Sequence, residues 1–386
     1  MRTLICRLLL LALPAGCAEK APPPASLAVS APGLRFFARA ALSERLDRTF
    51  GAADYPLLER DGTPVPYQFV GEGERWDSVA YLFADTGTYT LRTATRDALP
   101  PVEPRVNLRF AREPDLREDY GAARLETSDS PSSMGAFQME GPAWENEYVA
   151  FRNYYDARNG IDVFGKRVRR PVLDSVGTDA WGSYHQLADW GMDILRVGNS
   201  LGAGALALAR GDSLYRVGPG CEGSIERLAE GPLYAAFRLR FRNCVGGVGV
   251  DHTVSIRAGD RYYTSEVRLQ PREGTRVVTG LVSMENDTLY RWDVGEHAVL
   301  ATYGNQAYDG ERLGMALITD RRWVHRVAAA PDSGAGIVQT HLLYLDPDAD
   351  GTYRFCVYAA WELENSAFGT LAGFRDLLTR AHTLHR

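Results

Sequence analysis

Two segments of the sequence are rich in side chains that could act chemically on a bound molecule. The first spans residues 148–166 and carries charged and phenolic groups at Arg152, Tyr154, Asp156, Arg158 and Lys166. As a β-strand, it would place Arg152, Tyr154 and Asp156 on one face over about 13 Å, because alternate residues of a strand point to the same side. Such a face suits a sugar, and Arg can hold a carboxylate through two hydrogen bonds. The alternative is an exposed face in which Asp156 and Arg158 neutralise each other.

The second segment places ionisable and aromatic side chains between glycines, at Trp181, Tyr184, His185, Trp190 and Asp193. This composition is typical of a loop that shapes a pocket. His185 can carry a proton near neutral pH and Tyr184 can donate or accept a hydrogen bond, so these two are the candidate catalytic residues. Trp190 and Asp193 join the first segment as candidates for substrate binding. A structural role for His185 remains the alternative.

A third segment has Asp346, Asp348 and Asp350 at alternate positions before Gly351. It is similar to the front half of a calcium-binding loop, although Val357 stands where an EF-hand has its bidentate Glu. An acidic hairpin turn is the other interpretation, so calcium is a weak expectation and no other cofactor is predicted. The sequence contains no nucleophile elbow, no His-Glu-x-x-His motif and no dinucleotide fingerprint.

The elements that must position these side chains are mostly strands. Residues 55–70 predict a hairpin, since Asp61-Gly62 supplies the positive φ angles of a tight turn. Residues 233–241 alternate apolar and charged side chains, as strands with one wet face do, and a helix is predicted after Ser366 from apolar residues at helical spacing. We therefore predict an all-β fold. It has a large antiparallel β-sandwich at residues 120–386, with a C-terminal helix, and a smaller β portion at residues 27–115.

The N-terminus predicts export. Arg2 and Arg7 flank the apolar residues 8–13, and Ala15-Gly16-Cys17 resembles the lipobox of bacterial lipoproteins. We expect a signal peptide at residues 1–16 and a lipid-modified, Pro-rich tether at residues 17–26. The expected location is the periplasm or cell surface, with the lipid on Cys17 holding the protein to the outer membrane. Ordinary signal cleavage is the alternative.

The net charge bears on the partners of the protein, and the cysteine count bears on its disulfides. The 386 residues carry a formal net charge of −6, so a nucleic-acid partner is not expected. After removal of the signal and modification of Cys17, three cysteines remain. In an oxidising compartment Cys221 could pair with Cys244 across neighbouring strands and leave Cys356 buried in a strand. The alternative is three small buried hydrophobic residues.

The two polar segments, with Tyr154-Tyr155-Asp156-Ala157-Arg158-Asn159, Tyr184-His185 and Gly191-Met192-Asp193, resemble a family of bacterial lipoproteins that is catalogued as a domain of unknown function. The resemblance covers most of the mature chain. Members occur among polysaccharide-degradation genes, which implies an oligosaccharide substrate, one that contains uronic acid. The strand order is also similar, more loosely, to the galactose-mutarotase-like supersandwich.

The leading functional hypothesis is β-elimination on a uronate, by a lyase or dehydratase. Arg152, Arg158 or Lys166 would neutralise the carboxylate, and Tyr184 or His185 would remove the adjacent proton. Asp156 and Asp193 would orient these groups. A glycoside hydrolase that uses two such carboxylates, an epimerase, and a non-catalytic glycan-binding lipoprotein are the alternatives.

Overall fold

The structure is a computed structural model that describes residues 24–71, 75–123, 135–179 and 182–383, with the backbone alone for 381–383. The predicted signal peptide, Cys17 and most of the tether lie outside the described residues, as does Trp181. Within the described ranges, no helix is both long and apolar enough to cross a bilayer.

Two small sheets and one helix form an N-terminal portion. Its elements are β1 Ala25–Val29, β2 Gly33–Ala38, α1 Arg39–Arg45, β3 Tyr55–Arg60, β4 Thr63–Pro64, β5 Tyr67–Val70, β6 Ser78–Phe83 and β7 Gly87–Ala94. The sheet orders are β1-β7-β3-β4 and β2-β6-β5. Leu58, Val79 and Leu91 are buried in a core that belongs to this portion. The hairpin predicted around Asp61-Gly62 forms between β3 and β4, and both turn residues have positive φ.

The next strands form a five-stranded sheet, called the site sheet below because it carries both polar segments. The strands of this region are β8 Val106–Arg109, β9 Ala111–Arg112, β10 Arg117–Glu118, β11 Ala143–Asn146, β12 Val149–Asn153, β13 Ile161–Lys166 and β14 Gly191–Asp193. The site sheet has the order β14-β13-β12-β11-β8, and β9 pairs with β10 separately. β8 pairs with β11 and so belongs to the site sheet. The chain therefore enters this sheet before residue 115, the position at which we had placed the end of the N-terminal portion.

The remaining strands complete a sandwich. They are β15 Ala203–Arg210, β16 Ser213–Arg216, β17 Glu222–Ala229, β18 Tyr234–Cys244, β19 Val248–Arg257, β20 Tyr262–Gln270, β21 Arg276–Val282, β22 Tyr290–Val294, β23 His297–Asn305, β24 Arg312–Asp320, β25 Val324–Ala329, β26 Thr340–Leu345 and β27 Tyr353–Trp361. A large sheet has the order β17-β18-β19-β20-β27-β24-β23-β22, and a second five-stranded sheet has the order β16-β15-β21-β26-β25. The neighbouring strands of these sheets are antiparallel.

The three sheets enclose one apolar core. The ring of Trp144 on β11 lies 5.2 Å from the rings of both Phe237 and Tyr263, which belong to the large sheet. Ile161 of the site sheet bridges to Gly202, beside the start of β15, so the two five-stranded sheets adjoin each other. Aromatic and β-branched side chains that alternate along each strand thus fill the space between the sheets. The predicted all-β fold with a large antiparallel sandwich is confirmed.

The predicted C-terminal helix is present as α2, Leu371–Thr383, after a short 3₁₀ turn at Ser366–Gly369. It packs on the outer face of the large sheet, where the Phe374 ring lies 5.9 Å from the ring of Tyr303. A Cβ at Gly314 would come within 2.6 Å of the Phe374 ring, so a glycine is required at this close approach.

Two of the cysteines form the disulfide that was one of the two expectations. Cys221 immediately precedes β17, Cys244 ends β18, and the two form a disulfide between these antiparallel neighbours. Cys356 lies within β27 and has a free thiol. The predicted disulfide between Cys221 and Cys244 is confirmed.

Candidate functional site

The candidate site lies on the face of the site sheet that points away from the sandwich core. Phe151 and Val163 point into the core, so their neighbours Arg152 and Asp162 project to the opposite side. Residues 138–140, 172–179 and 182–184 cover this face and bury an apolar layer formed by Met139, Ala143, Ala150, Phe164, Val172, Leu173, Val176 and Tyr184. The polar groups of the site are therefore held between a sheet and a packed covering segment.

Residues 148–166 form a hairpin, and the single strand that we had expected there is wrong. β12 ends at Asn153, Asn159 has a φ of 41°, and Asn153 pairs with Ile161 at the start of β13. Arg152 consequently lies directly opposite Asp162. Asp156 lies in the turn and does not share a strand face with Arg152. The Asn159-Gly160 pair favours a hairpin turn and was the signal in the sequence that would have indicated this.

Arg152 is fully buried and binds three carboxylates. Its Nη2 donates to Asp162 Oδ2 at 2.5 Å and to Asp193 Oδ2 at 3.3 Å, and its Nη1 donates to Glu140 Oε2 at 3.1 Å. A buried guanidinium is tolerated only when such partners compensate its lost hydration. Arg152 therefore orients three acids and is not accessible to a substrate carboxylate.

The segment that carries Glu140 has an unusual backbone. Met139 and Glu140 have φ angles of 54° and 65°, and the carbonyl of Met139 accepts a hydrogen bond of 2.7 Å from Arg152 Nη1. A Cβ at Gly141 would come within 2.2 Å of the carbonyl of Asn153, so the chain can pass here only as glycine. Left-handed conformations of non-glycine residues cost about 1–3 kcal/mol each and persist where surrounding contacts impose them. Here such contacts include the hydrogen bond from Arg152 to the Met139 carbonyl and the one from the Tyr155 N–H to the Glu140 carbonyl.

Tyr154 lies between two guanidinium groups. The guanidinium carbon of Arg152 is 3.9 Å from the centre of the Tyr154 ring, and that of Arg158 is 3.8 Å from it. The Tyr154 hydroxyl donates to Asp162 Oδ2 at 2.9 Å. Arg158 itself donates from Nε and Nη2 to Asp156 and from Nη2 to Glu140, and about a fifth of its side chain is exposed. Arg158 is thus the more accessible of the two arginines.

His185 lies at the exposed edge of this cluster. Its Nδ1 is 3.3 Å from Asp193 Oδ2, and its ring stacks on Tyr308 with 5.8 Å between ring centres and an angle of 14°. The guanidinium of Arg196 covers Tyr308 at 4.6 Å. About a third of the His185 side chain is exposed, so a molecule from solution can reach it. Tyr308 could not be predicted as a partner of His185, since it lies more than a hundred residues further along the chain.

The neighbouring charges shift the acid–base behaviour of the cluster. The Asp193 carboxylate raises the pKa of His185 above its usual value, and partial burial opposes this shift. Burial raises the pKa of Tyr184 to about 12, so its hydroxyl stays protonated at neutral pH. Burial and the charge of Asp193 raise the pKa of Asp162, against the effect of Arg152. Because the pKa of Asp162 is raised to about 7, the buried Asp162 and the partly exposed His185 are the two described groups of the cluster that can change their charge near neutrality.

A cavity of about 280 Å³ adjoins the cluster. Its described lining consists of Glu113, Pro114, Gly135, Phe137, Met139, Glu140, Gly177, Thr178, Asp179 and Tyr184. Three of these residues are acids, and none of them is Lys or Arg. The Tyr184 hydroxyl is 3.5 Å from Glu140 Oε2, and the Tyr184 ring centre is 4.6 Å from that of His185. A ligand in this cavity would meet a phenol and carboxylates, with an imidazole beside them.

Lys166 lies apart from this cluster. It is fully buried and donates to Glu145 Oε2 at 2.5 Å and to the carbonyl of Asn146 at 2.6 Å. Glu145 also accepts from the backbone N–H groups of Val172 and Leu173. Burial lowers the pKa of Lys166. Lys166 therefore fixes the covering segment to the sheet, and we leave it out of the proposed substrate contacts.

Trp190 also has a packing contact. It is half-buried, and its ring lies 6.3 Å from Phe164 in an edge-to-face arrangement. Sequence reasoning missed Glu140 and Asp162, which bind Arg152 and Tyr154 directly. The Asn159-Gly160 pair indicates a strand that begins directly after it and so contains Asp162, whereas Glu140 had no sequence signal.

The acidic segment before Gly351 forms the turn between β26 and β27. Asp348 accepts hydrogen bonds from the N–H groups of Asp350 and Thr352 and forms an ion pair with Arg354. Asp346 forms an ion pair with Arg276. Among the described residues, no group of three His, Cys, Asp or Glu side chains is arranged to hold a metal ion.

Residues 38–383 match the sequence family described as Domain of unknown function (DUF4861). The chain belongs to this family, and the matched range includes the sandwich and the N-terminal portion from the end of β2 onward. No curated protein is significantly similar in sequence.

Two solved structures resemble the fold. An α-mannosidase from Enterococcus faecalis V583 has 7% sequence identity and a TM-score of 0.41 over 94% of this chain and 44% of its own. A protein in glycosyl hydrolase family 38 from Enterococcus faecalis has 7% identity and a TM-score of 0.42 over 94% of this chain and 45% of its own. The chain thus spans less than half the length of each.

Proposed function

We propose that the protein is a carbohydrate-active enzyme that carries out β-elimination on a uronic-acid-containing oligosaccharide. The observation that carries the proposal is the pairing of the partly exposed His185 with Asp193, next to the Tyr184 hydroxyl at a cavity. A carboxylate beside an imidazole orients it and stabilises its protonated form, as proton transfer requires.

The roles follow from the acid–base properties of each group. The Nδ1 atom of His185 faces Asp193, so Nε2 in its neutral form would accept the proton from the carbon next to the substrate carboxylate. The electrons of the broken C–H bond form the new double bond, and the C4–O bond breaks with its electron pair on oxygen. Tyr184, which stays protonated at neutral pH, would donate a proton to that oxygen. The products are an unsaturated sugar and a leaving molecule that carries the new hydroxyl group, an oligosaccharide for a lyase or water for a dehydratase. The proton on His185 then passes to Tyr184 through solvent, which restores both groups.

Arg158 is the arginine best suited to the substrate carboxylate. It is partly exposed, its Nη2 and Nε bind Asp156 and Glu140, and its Nη1 forms no hydrogen bond with the described residues. Arg152 is a positioning residue, since it holds Asp162, Asp193 and Glu140 from a fully buried place.

The test is incubation of the mature protein with a panel of uronate oligosaccharides and measurement of the ultraviolet absorbance of a new C4–C5 double bond. We expect absorbance to increase with wild type and not with His185→Gln. The exposed Asp189→Asn, in the same loop, is the matched control and should retain the rate. No absorbance across the panel would refute the elimination.

Hydrolysis is the second candidate, because Glu113, Glu140 and Asp179 line the same cavity. Glycoside hydrolysis needs a pair of carboxyl groups around the scissile bond. It would release reducing ends from the panel without ultraviolet absorbance. Saturable binding that leaves every oligosaccharide intact would instead identify a non-catalytic glycan-binding protein.

We also propose that the protein is exported and anchored by a lipid on Cys17. The lipobox-like Ala15-Gly16-Cys17 supports this, and the Cys221–Cys244 disulfide suits an oxidising compartment. Incorporation of labelled palmitate into the wild type, and its loss in Cys17→Ala, would test the anchor.

A further inference from the structure

A second cavity, of about 370 Å³, opens on the outer face of the large sheet. We call it the sheet groove; its described lining includes Ser255 and Arg257 of β19, Tyr262 and Thr264 of β20, Tyr358 of β27, and Trp323. Val254 and Val357 point into the sandwich core, so their neighbours Ser255 and Tyr358 point away from it. The sheet groove and the His185 site are therefore on opposite faces of the sandwich. Its volume falls in the range of small-ligand pockets, about 300–1,000 Å³.

The hydroxyl of Tyr358 is buried without a partner. Tyr358 is 1% exposed, its ring stacks on Tyr262 with 4.6 Å between ring centres, and its hydroxyl oxygen has no hydrogen-bond partner among the described residues. A buried polar group without a hydrogen bond is costly, so native proteins rarely keep one without a reason. A ligand oxygen in the sheet groove would supply the missing partner.

Arg257 brings a positive charge to the same groove. Its guanidinium lies 5.3 Å from the centre of the Phe36 ring, its Nε is buried without a hydrogen-bond partner, and it forms no ion pair with a described carboxylate. Arg152 and Arg158, by contrast, each bind two or more carboxylate oxygens.

The other charges of the groove are compensated. Arg354 forms ion pairs with both Glu266 and Asp348, and Asp320 forms one with Arg322. Arg257 is thus a lining cation that forms no ion pair with a described carboxylate, so its guanidinium can bind an anionic group of a ligand.

The remaining lining is typical of sugar recognition. Ser255 and Thr264 bring hydroxyls that bond each other at 2.5 Å, and the half-buried Trp323 brings aromatic surface. Aromatic faces pack on the apolar sides of sugar rings while hydroxyls exchange hydrogen bonds with them.

We propose that the sheet groove binds an acidic sugar, with the Arg257 guanidinium on its carboxylate and the Tyr358 hydroxyl on a sugar oxygen. The site holds ligand and does no chemistry. It is independent of the function proposed above, because it requires nothing of His185.

Isothermal titration calorimetry on the mature protein tests this with glucuronic acid, galacturonic acid and their short oligomers, against glucose, galactose and neutral oligomers of equal length. We expect saturable binding of the acidic probes and at least tenfold weaker binding of the neutral ones. Arg158→Gln removes the arginine proposed above for the substrate carboxylate and should retain binding in the sheet groove, whereas the further change Arg257→Gln in that variant should weaken the retained acidic-probe binding at least tenfold. His185→Gln should leave it unchanged, so the failure of elimination and the failure of this proposal are distinguishable.

Tyr358→Phe separates a ligand contact from a structural role. Because the hydroxyl has no partner in the described protein, its removal should leave the melting temperature equal or higher while affinity falls several-fold. Tyr215→Phe, an exposed tyrosine on β16 in another sheet, is the control and should change neither. Equal affinity for acidic and neutral probes, no binding of any probe, or a lower melting temperature with unchanged affinity in Tyr358→Phe would overturn the proposal.

Discussion

Asp193 Oδ2 lies 3.3 Å from His185 Nδ1 and belongs to a carboxylate that the buried Arg152 also contacts at 3.3 Å. One carboxylate thus connects a fully buried cation with a partly exposed imidazole. Any shift of Arg152 changes the position of the Asp193 carboxylate relative to His185. The packing of the site sheet therefore affects the pKa of His185.

Asp193→Asn should lower the pKa of His185. Asp193 is the principal cause that raises this pKa above 6.5, and the partial burial that remains would favour the neutral ring. We expect an NMR titration of the His185 ring to show a midpoint above 6.5 in wild type and a lower one in the variant. If His185 is the base of the elimination, the turnover rate should increase with pH through that same midpoint, since only the neutral ring accepts a proton.

Asp189→Asn is the control for this titration, because it removes the same charge from an exposed position in the same loop. It should leave the midpoint within experimental error. An unchanged midpoint in Asp193→Asn would show that Asp193 does not control His185, and a rate that decreases with pH would assign His185 the role of acid.

Arg152→Met should destabilise the protein strongly. The variant leaves Asp162, Asp193 and Glu140 close together in the interior without the cation that binds them. Removal of one partner from a buried ion pair typically costs about 3–5 kcal/mol in the free energy of unfolding. Denaturant unfolding at pH 7 would measure this loss, which should become smaller at acidic pH, where protonation relieves the repulsion among the acids.

Arg92→Met is the comparison for a surface ion pair. Arg92 binds Glu59 through two hydrogen bonds of 2.8 Å, but half of its side chain is exposed. Its loss should cost at most about 1 kcal/mol. Equal losses of unfolding free energy in Arg92→Met and Arg152→Met would show that Arg152 contributes no more to stability than a surface ion pair does.

The sandwich could be predicted from the sequence because apolar alternation is a local signal. Residues 233–241 show it, and they form most of β18. The C-terminal helix was predicted from the helical spacing of its apolar residues, which is also a local signal. The hairpin at Asn159-Gly160 was missed because the polar alternation of residues 148–156 was given more weight than a turn-forming pair that follows it.

The two sites could be predicted only in part. Segments around residues 152 and 185 were expected to meet, and the structure brings Arg152, Asp193 and His185 together. The positions of Glu140 and Asp162 determine whether Arg152 or Arg158 stays accessible. Tertiary packing sets those positions, so the sequence alone does not predict them. The sheet groove had no sequence signal, since residues such as Arg257 and Tyr358 meet only through strand pairing over about a hundred residues of chain.

The disulfide should contribute measurably to stability. It joins residues 23 positions apart, and loop-closure entropy predicts a stabilisation of about 3 kcal/mol for a loop of that size. Replacement of both Cys221 and Cys244 by Ser should lower the free energy of unfolding by about this amount. The control is Cys356→Ala, which leaves the disulfide intact and removes one thiol of β27. A double variant as stable as wild type would contradict this prediction.

His252 should make the protein sensitive to mild acid. It lies in the sandwich core, where Nε2 is 2.6 Å from Ser265 Oγ, and burial lowers its pKa from 6.5 to about 3. Between these values the unfolded chain binds a proton that the folded protein does not, so the free energy of unfolding decreases as the pH falls. The slope reaches about 1.4 kcal/mol per pH unit for one such group. The contribution is fully present above pH 6.5 and is lost progressively down to about pH 3.

Denaturant unfolding between pH 7 and pH 4 measures this effect as the difference between wild type and His252→Gln. Gln can still form a hydrogen bond with Ser265 but does not titrate, so the variant should lose less stability as the pH falls, even if it is less stable at pH 7. His325→Gln, at an exposed position on β25, should follow the wild-type slope. Parallel slopes for wild type and His252→Gln would show that His252 does not couple folding to protonation.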